Sequence, residues 1–139
     1  MRTNLGFDVE LSLAFSDAVN RVKEALKQEG FGILTETDLQ AAFREKLGRE
    51  FRPYVILGAC NPPLAYSAIN ADPWVGLLLP CNVTVESASE RRTVVRLTNP
   101  EALLAASSLR PSPELAGVAS DAGQRMARVA AALEEIGGK

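Results

Sequence analysis

The sequence predicts an α+β protein with a single, mostly antiparallel sheet of about five strands and helices packed on one face. Apolar and polar residues alternate over positions 7–13, which is typical of a strand with one buried face. Positions 83–86 and 93–97 alternate again around a short polar segment, which predicts a hairpin. Between and after these segments, apolar residues recur at helical spacing. The length of 139 residues is that of one domain, spanning 1–139.

A helix is expected directly after the first strand. We expect Ser16 to cap it, because Ser is a favoured N-cap residue, and positions 19, 22 and 26 supply its apolar face. Gly30 stands where a residue in the left-handed conformation would end the helix. Phe31 can then fold back onto the last turn.

The middle of the chain predicts two further strands and a second helix. A strand over 31–36 leads to a helix that Thr37 or Asp38 caps and Gly48 ends. Positions 54–60 are apolar on both alternations. That pattern is typical of a strand inside a sheet.

Two Asn-Pro pairs predict the starts of two more helices. Asn is a favoured N-cap, and Pro at the first helical position loses no hydrogen bond. We therefore expect helices to begin at Asn61-Pro62 and at Asn99-Pro100. The remaining predicted elements are a fourth strand over 77–86, a turn over 87–90, a fifth strand over 93–97 and a closing helix over 115–136.

The composition excludes several kinds of site. The sequence contains no histidine, which removes the commonest general base and the commonest transition-metal ligand. A metal site built on the two cysteines would need Asp72, Glu86 or a second subunit to complete it, so we predict no metal and no cofactor. The net charge of −2, with no isolated basic run, predicts no nucleic-acid binding.

The hydropathy pattern predicts no membrane association. No apolar run reaches the roughly 20 residues that a membrane span needs. The first residues lack the apolar core of a signal peptide. We therefore expect a cytoplasmic protein whose two cysteines are reduced.

Both cysteines lie in the central stretch, and each is followed by asparagine, as Cys60-Asn61 and Cys81-Asn82. Cys60 precedes a predicted helix N-terminus, where the helix dipole would favour the thiolate if the sulfur faces the free amides. If the third and fourth strands are neighbours, the two thiols could approach within disulfide range. Two interpretations stay open. One is a reactive pair in which Cys81 resolves an exposed Cys60, and the other is two small buried apolar side chains.

Four further residues are candidates for a ligand site. Asn61 and Asn82 could hold a ligand at a pocket mouth, although capping alone accounts for Asn61 and an exposed strand face for Asn82. Tyr54 and Trp74 could line the pocket. A lone Trp beside a proline-rich bend is also typical of a core residue.

Residues of the central stretch carry a resemblance to a known family, namely Gly58, Cys60, Asn61, Pro62, Ala65, Asp72, Pro73, Gly76, Leu79, Pro80, Cys81, Asn82, Val83, Asn99 and Pro100. With these residues the stretch resembles the small bacterial and archaeal proteins called domain of unknown function 302. The resemblance covers about 53–100 and includes two separate Cys-Asn pairs. It implies an α+β architecture like that of the TATA-binding protein and a homodimer, and it implies no particular activity.

From these features we predict a module that binds a small ligand or a partner near the start of the third helix. One alternative is a thiol-dependent redox or sulfur-transfer protein that uses Cys60 and Cys81. Another is a structural homodimer subunit without a ligand. The sequence does not assign an enzymatic activity. The candidate site residues are Cys60, Asn61, Cys81, Asn82, Tyr54 and Trp74.

Overall fold

The computed structural model describes residues 5–137, and a five-stranded sheet forms its centre. The strands lie in the order β1-β5-β4-β3-β2, and every neighbouring pair is antiparallel. The predicted α+β class with an antiparallel sheet is confirmed, and the likeness to the TATA-binding protein stays a prediction. The strands are β1 (Gly6–Leu11), β2 (Gly32–Asp38), β3 (Tyr54–Cys60), β4 (Cys81–Ser89) and β5 (Arg92–Thr98).

The five helices of residues 5–137 pack on the sheet or on one another. Helices α1 and α5 cover one face of the sheet, α3 and α4 pack on α5, and α2 contacts β3. A short 3-10 helix over Pro73–Leu78 follows α3. The helices are α1 (Phe15–Gln28), α2 (Leu39–Leu47), α3 (Pro62–Ala71), α4 (Pro100–Ala106) and α5 (Pro113–Gly137).

The main core lies between the sheet and its two covering helices. Alternate strand residues such as Leu57, Val83 and Val95 are fully buried there, against Val22 of α1 and Met126 of α5. Alternation with a period of two sends the other residues of each strand to the opposite face. A smaller apolar cluster, around Ala68, Val75 and Leu115, joins α3, the 3-10 helix and α5.

Local signals in the sequence set most element ends. Gly30 and Gly48 have φ angles of +83° and +63° after α1 and at the end of α2. These are left-handed conformations that a side chain would strain. The Asp38 carboxylate accepts a hydrogen bond from the Ala41 amide and caps α2. The Asn61 and Asn99 side chains cap α3 and α4 in the predicted manner.

Several predicted boundaries differ from those of the structure. Helix α1 begins at Phe15 with Ala14 as its N-cap residue, so Ser16 lies inside the first turn. The fourth strand begins at Cys81, because Leu77 and Leu78 belong to the 3-10 helix that starts at Pro73 and the next two residues form no strand. The hairpin turn consists of residues 90 and 91, since β4 continues through Ser89 with an irregular register near its end.

Candidate functional site

An apolar cavity with a volume of about 70 Å³ lies at one end of the sheet. The ends of β3 and β4 form one wall, and α3, α4, α5 and the 3-10 helix form the others. Three of the predicted site residues, Cys60, Asn61 and Cys81, line it. The rest of the lining is apolar and includes Leu79 and Leu104.

The two cysteines meet at this cavity because of strand pairing. Cys60 ends β3 and Cys81 begins β4, and the antiparallel register places Ala59 directly opposite Cys81. Cys60 is therefore offset by one residue from the position opposite Cys81, both cysteines line the cavity, and both are free. The sequence prediction that they would come close depended on this pairing.

The surroundings of the thiols oppose ionisation. Burial raises the pKa of the Cys60 thiol above its ordinary value. Burial, and then the nearby Cys60, raise the pKa of Cys81 to about 11. The N-terminus of α3 therefore does not make Cys60 a thiolate at neutral pH. Both cysteines contribute polarizable apolar surface to the cavity.

Asn61 connects three helices at the edge of the cavity. Its Oδ1 accepts a hydrogen bond from the Leu64 amide at 3.3 Å, and its Nδ2 donates to the Glu29 carbonyl at 3.4 Å. The same carbonyl accepts a bond from Arg125 of α5 at 2.9 Å. Asn61 is 8% exposed. Capping and this interhelical bond leave one amide hydrogen of Asn61 for a ligand.

Tyr54 and Asn82 lie on the other face of the sheet. Both line a second cavity, of about 580 Å³, on the face opposite α1 and α5. Strand alternation explains this separation, because Asn82 follows the inward-facing Cys81 and Tyr54 precedes the inward-facing Val55. The structure therefore divides these five predicted site residues between two cavities.

Trp74 lines neither of these cavities. It is 68% exposed on the 3-10 helix, where Val75 is the buried residue. The interpretation of Trp74 as a core residue is therefore wrong. Asp72 accepts a hydrogen bond from the Trp74 amide and starts this 3-10 helix at Pro73, which turns the indole outward.

The sequence analysis missed a cluster of charged residues on the open face of the sheet. Glu86 of β4 accepts hydrogen bonds from Arg52 and Arg96, each at 2.5 Å. Burial would raise the pKa of Glu86, but the two guanidinium groups outweigh it and hold that pKa below the ordinary value. The pairing of Glu86 with Arg96 could have been predicted from the sequence, because the two residues carry opposite charges on the two strands of the predicted hairpin. Nothing local indicated Arg52.

Within 5–137, no group of three or more His, Cys, Asp or Glu side chains is placed to hold a metal ion. Over the same residues, no helix has both the length and the apolar character needed to cross a bilayer.

The fold and cavity define an α+β protein with an antiparallel sheet, helices on one face and an apolar cavity at the sheet end. The chain belongs to the family named domain of unknown function DUF302, whose model matches residues 7–133. The resemblance seen in the Cys-Asn and Asn-Pro pairs is therefore confirmed.

A solved structure of the same family is similar throughout its length. It is the crystal structure of the uncharacterized conserved protein DUF302 from Bacillus stearothermophilus. The two chains are 31% identical, with a TM-score of 0.80, and the match covers 93% of this chain and 98% of that one. No curated protein matches the chain.

Proposed function

We propose that this protein binds a small apolar ligand, or the apolar end of a larger one, in the cavity beside Cys60, Asn61 and Cys81. The observation that carries the proposal is the apolar lining of that cavity, which gathers residues from the sheet end and three helices. Apolar cavities of this kind stay dry and take up apolar molecules.

The volume of the cavity limits the ligand. At about 70 Å³, it has roughly half the volume of a cavity of ~150 Å³ that holds benzene. A linear alkyl group fits such a space better than a ring does. The remaining amide hydrogen of Asn61 would contact a polar head at the edge of the cavity.

The thiol alternative has less support. A redox or sulfur-transfer thiol needs thiolate character near neutral pH. Burial raises the pKa of both Cys60 and Cys81 instead. We therefore assign the two thiols to the wall of the binding cavity.

A titration with hexanol, followed by the amide resonances of the protein, tests the ligand proposal. We expect shifts at cavity residues such as Leu79 and Leu104. Ala65→Leu places three more carbon atoms on the cavity wall and should abolish the shifts. Ala71→Leu makes the same change at an exposed position of α3 and should leave them intact. Equal binding by wild type and Ala65→Leu, or no binding by wild type, would overturn the proposal.

A second candidate role is association between two copies through the outer surface of α3 and the 3-10 helix. Tyr66, Trp74 and Leu77 are 74%, 68% and 77% exposed there. The segment 62–78 contains a single charged residue, Asp72. Exposed apolar clusters of this kind are typical of interaction sites.

Sedimentation over a range of concentrations tests this second role. If the surface joins two copies, Trp74→Asp should shift the protein toward monomer. Leu47→Asp changes an equally exposed apolar residue on α2 and serves as the matched control. A wild-type protein that stays monomeric at every concentration would rule out the homodimer.

A further inference from the structure

The open face of the sheet carries a second cavity, distinct from the apolar one. Its volume of about 580 Å³ lies within the range of roughly 300–1,000 Å³ that is typical of ligand sites. Its floor includes Arg96 of β5, Thr84 and Asn82 of β4, and Tyr54 of β3. Leu103 of α4 contributes an apolar wall. A charged group, several polar groups and an apolar wall therefore converge on one space.

The polar groups in this cavity have unused hydrogen-bonding capacity. A guanidinium has five N–H donors, and Arg96 uses one of them on Glu86. Among residues 5–137, the Tyr54 hydroxyl and the Asn82 side-chain amide have no hydrogen-bond partner. The Thr84 hydroxyl oxygen is buried and also lacks one. The cavity therefore presents hydrogen-bond donors from β3, β4 and β5 that a ligand can use.

The charges around Arg96 favour an anion on one side of it. Glu86 is shared between Arg96 and Arg52, so two guanidinium groups balance one carboxylate. Asp8 also lines the cavity, but it lies on the edge strand β1, at the position opposite Arg96 in the β1–β5 register. The unused donors lie on β4 and β3, on the opposite side of Arg96 from Asp8. An anion bound between Arg96 and the donors of β4 and β3 would contact the guanidinium group and lie away from the Asp8 carboxylate.

We propose that this cavity binds a small monocarboxylic acid, whose carboxylate accepts hydrogen bonds from Arg96, Tyr54 and Asn82. A carboxylate has two acceptor oxygens, which can accept two parallel N–H hydrogen bonds from one guanidinium group. The apolar body of the acid packs against Leu103 and the Tyr54 ring. A monocarboxylate brings one negative charge to Arg96 and meets less repulsion from the Glu86 and Asp8 carboxylates than a doubly charged phosphate would.

Titration with benzoate, followed by amide resonances, tests this site, and benzamide serves as the uncharged ligand of the same shape. We expect benzoate to shift the resonances of Asn82 and Thr84, and benzamide to bind more weakly. Arg96→Gln should weaken benzoate binding about tenfold or more, since hydrogen bonds to charged groups are the strong ones. Tyr54→Phe keeps the ring and should weaken binding about threefold.

Two variants separate the site from general effects of charge or folding. Asn82→Asp places a negative charge at an exposed strand position and should abolish benzoate binding while the fold persists. Arg92→Gln removes an arginine of the same sheet, one that pairs with Glu10 and does not line the cavity, and should leave binding unchanged. The proposal is overturned if benzoate shifts no cavity resonance, or if the Arg92 and Arg96 variants behave alike. It is also overturned if the Arg96 and Asn82 variants change only the sedimentation of the protein, because the face would then join two copies.

Discussion

Asn61 and Asn99 allow a measurement of what one interhelical hydrogen bond contributes to stability. Both precede a proline, and both cap a helix through Oδ1, toward the amides of Leu64 and Glu101. Only Asn61 also donates a hydrogen bond from Nδ2 to the carbonyl of Glu29. The two alanine variants therefore differ in one identified interaction besides burial.

The expected losses of stability follow from these contacts. Asn99→Ala removes a cap and should cost about 1 kcal/mol. Asn61→Ala removes a cap and the bond to Glu29. That bond is long, at 3.4 Å, and Arg125 still satisfies the same carbonyl. The bond should therefore contribute about 0.5–1 kcal/mol, without a further cost for an unsatisfied buried acceptor. We expect a total loss of about 1.5–2 kcal/mol for Asn61→Ala.

Urea denaturation with a common m-value measures these differences. Asn61→Ser keeps a capping oxygen but cannot reach Glu29, so its loss should equal that of the interhelical bond alone. Equal losses for Asn61→Ala and Asn99→Ala would refute the idea that the bond stabilises the fold. A Ser variant as unstable as the Ala variant would show that capping at Asn61 contributes nothing.

Three further predictions concern ionisation and packing. Glu86→Gln should lower stability at pH 7 by about 1–2 kcal/mol. The pKa of Glu86 in the folded protein lies below the ordinary value of 4.5, so its ion pairs stabilise the fold above that pH and are lost as the pH falls through the lowered pKa. The difference in stability between wild type and Glu86→Gln should therefore shrink in thermal melts below pH 4.5. Gly58→Ala should lower the free energy of unfolding in urea by about 1–3 kcal/mol, because an added Cβ would lie 2.2 Å from the Thr35 hydroxyl of the neighbouring strand. Gly76→Ala is the control and should be nearly neutral, because its Cβ would meet nothing within 4 Å. Alkylation of Cys60 and Cys81 should be slow at pH 7 and should accelerate only in alkali, with Cys81 needing the higher pH. Fast labelling of Cys60 at neutral pH would restore the hypothesis of a reactive thiol pair.

The sequence determined the features that depend on neighbouring residues. The glycine ends at Gly30 and Gly48 and the Asn-Pro starts at Asn61 and Asn99 are local preferences, and all four are present. The bounds predicted for β3, over 54–60, are also those observed. The predictions failed where two local signals competed. Before Cys81, an apolar run favoured an early start of the fourth strand, but Asp72 and Pro73 start a 3-10 helix there.

Only the tertiary structure decided which side chains share a site. The pairing of β3 with β4 brings Cys60 and Cys81 to one cavity, and the two faces of the same strands send Tyr54 and Asn82 to another. The exposure of Trp74 likewise depends on how its segment packs on the rest of the chain. Strand pairing and helix packing join residues far apart in sequence, and their free energy comes from burying apolar surface across the whole molecule. Local patterns therefore specify the elements, while long-range packing specifies the sites.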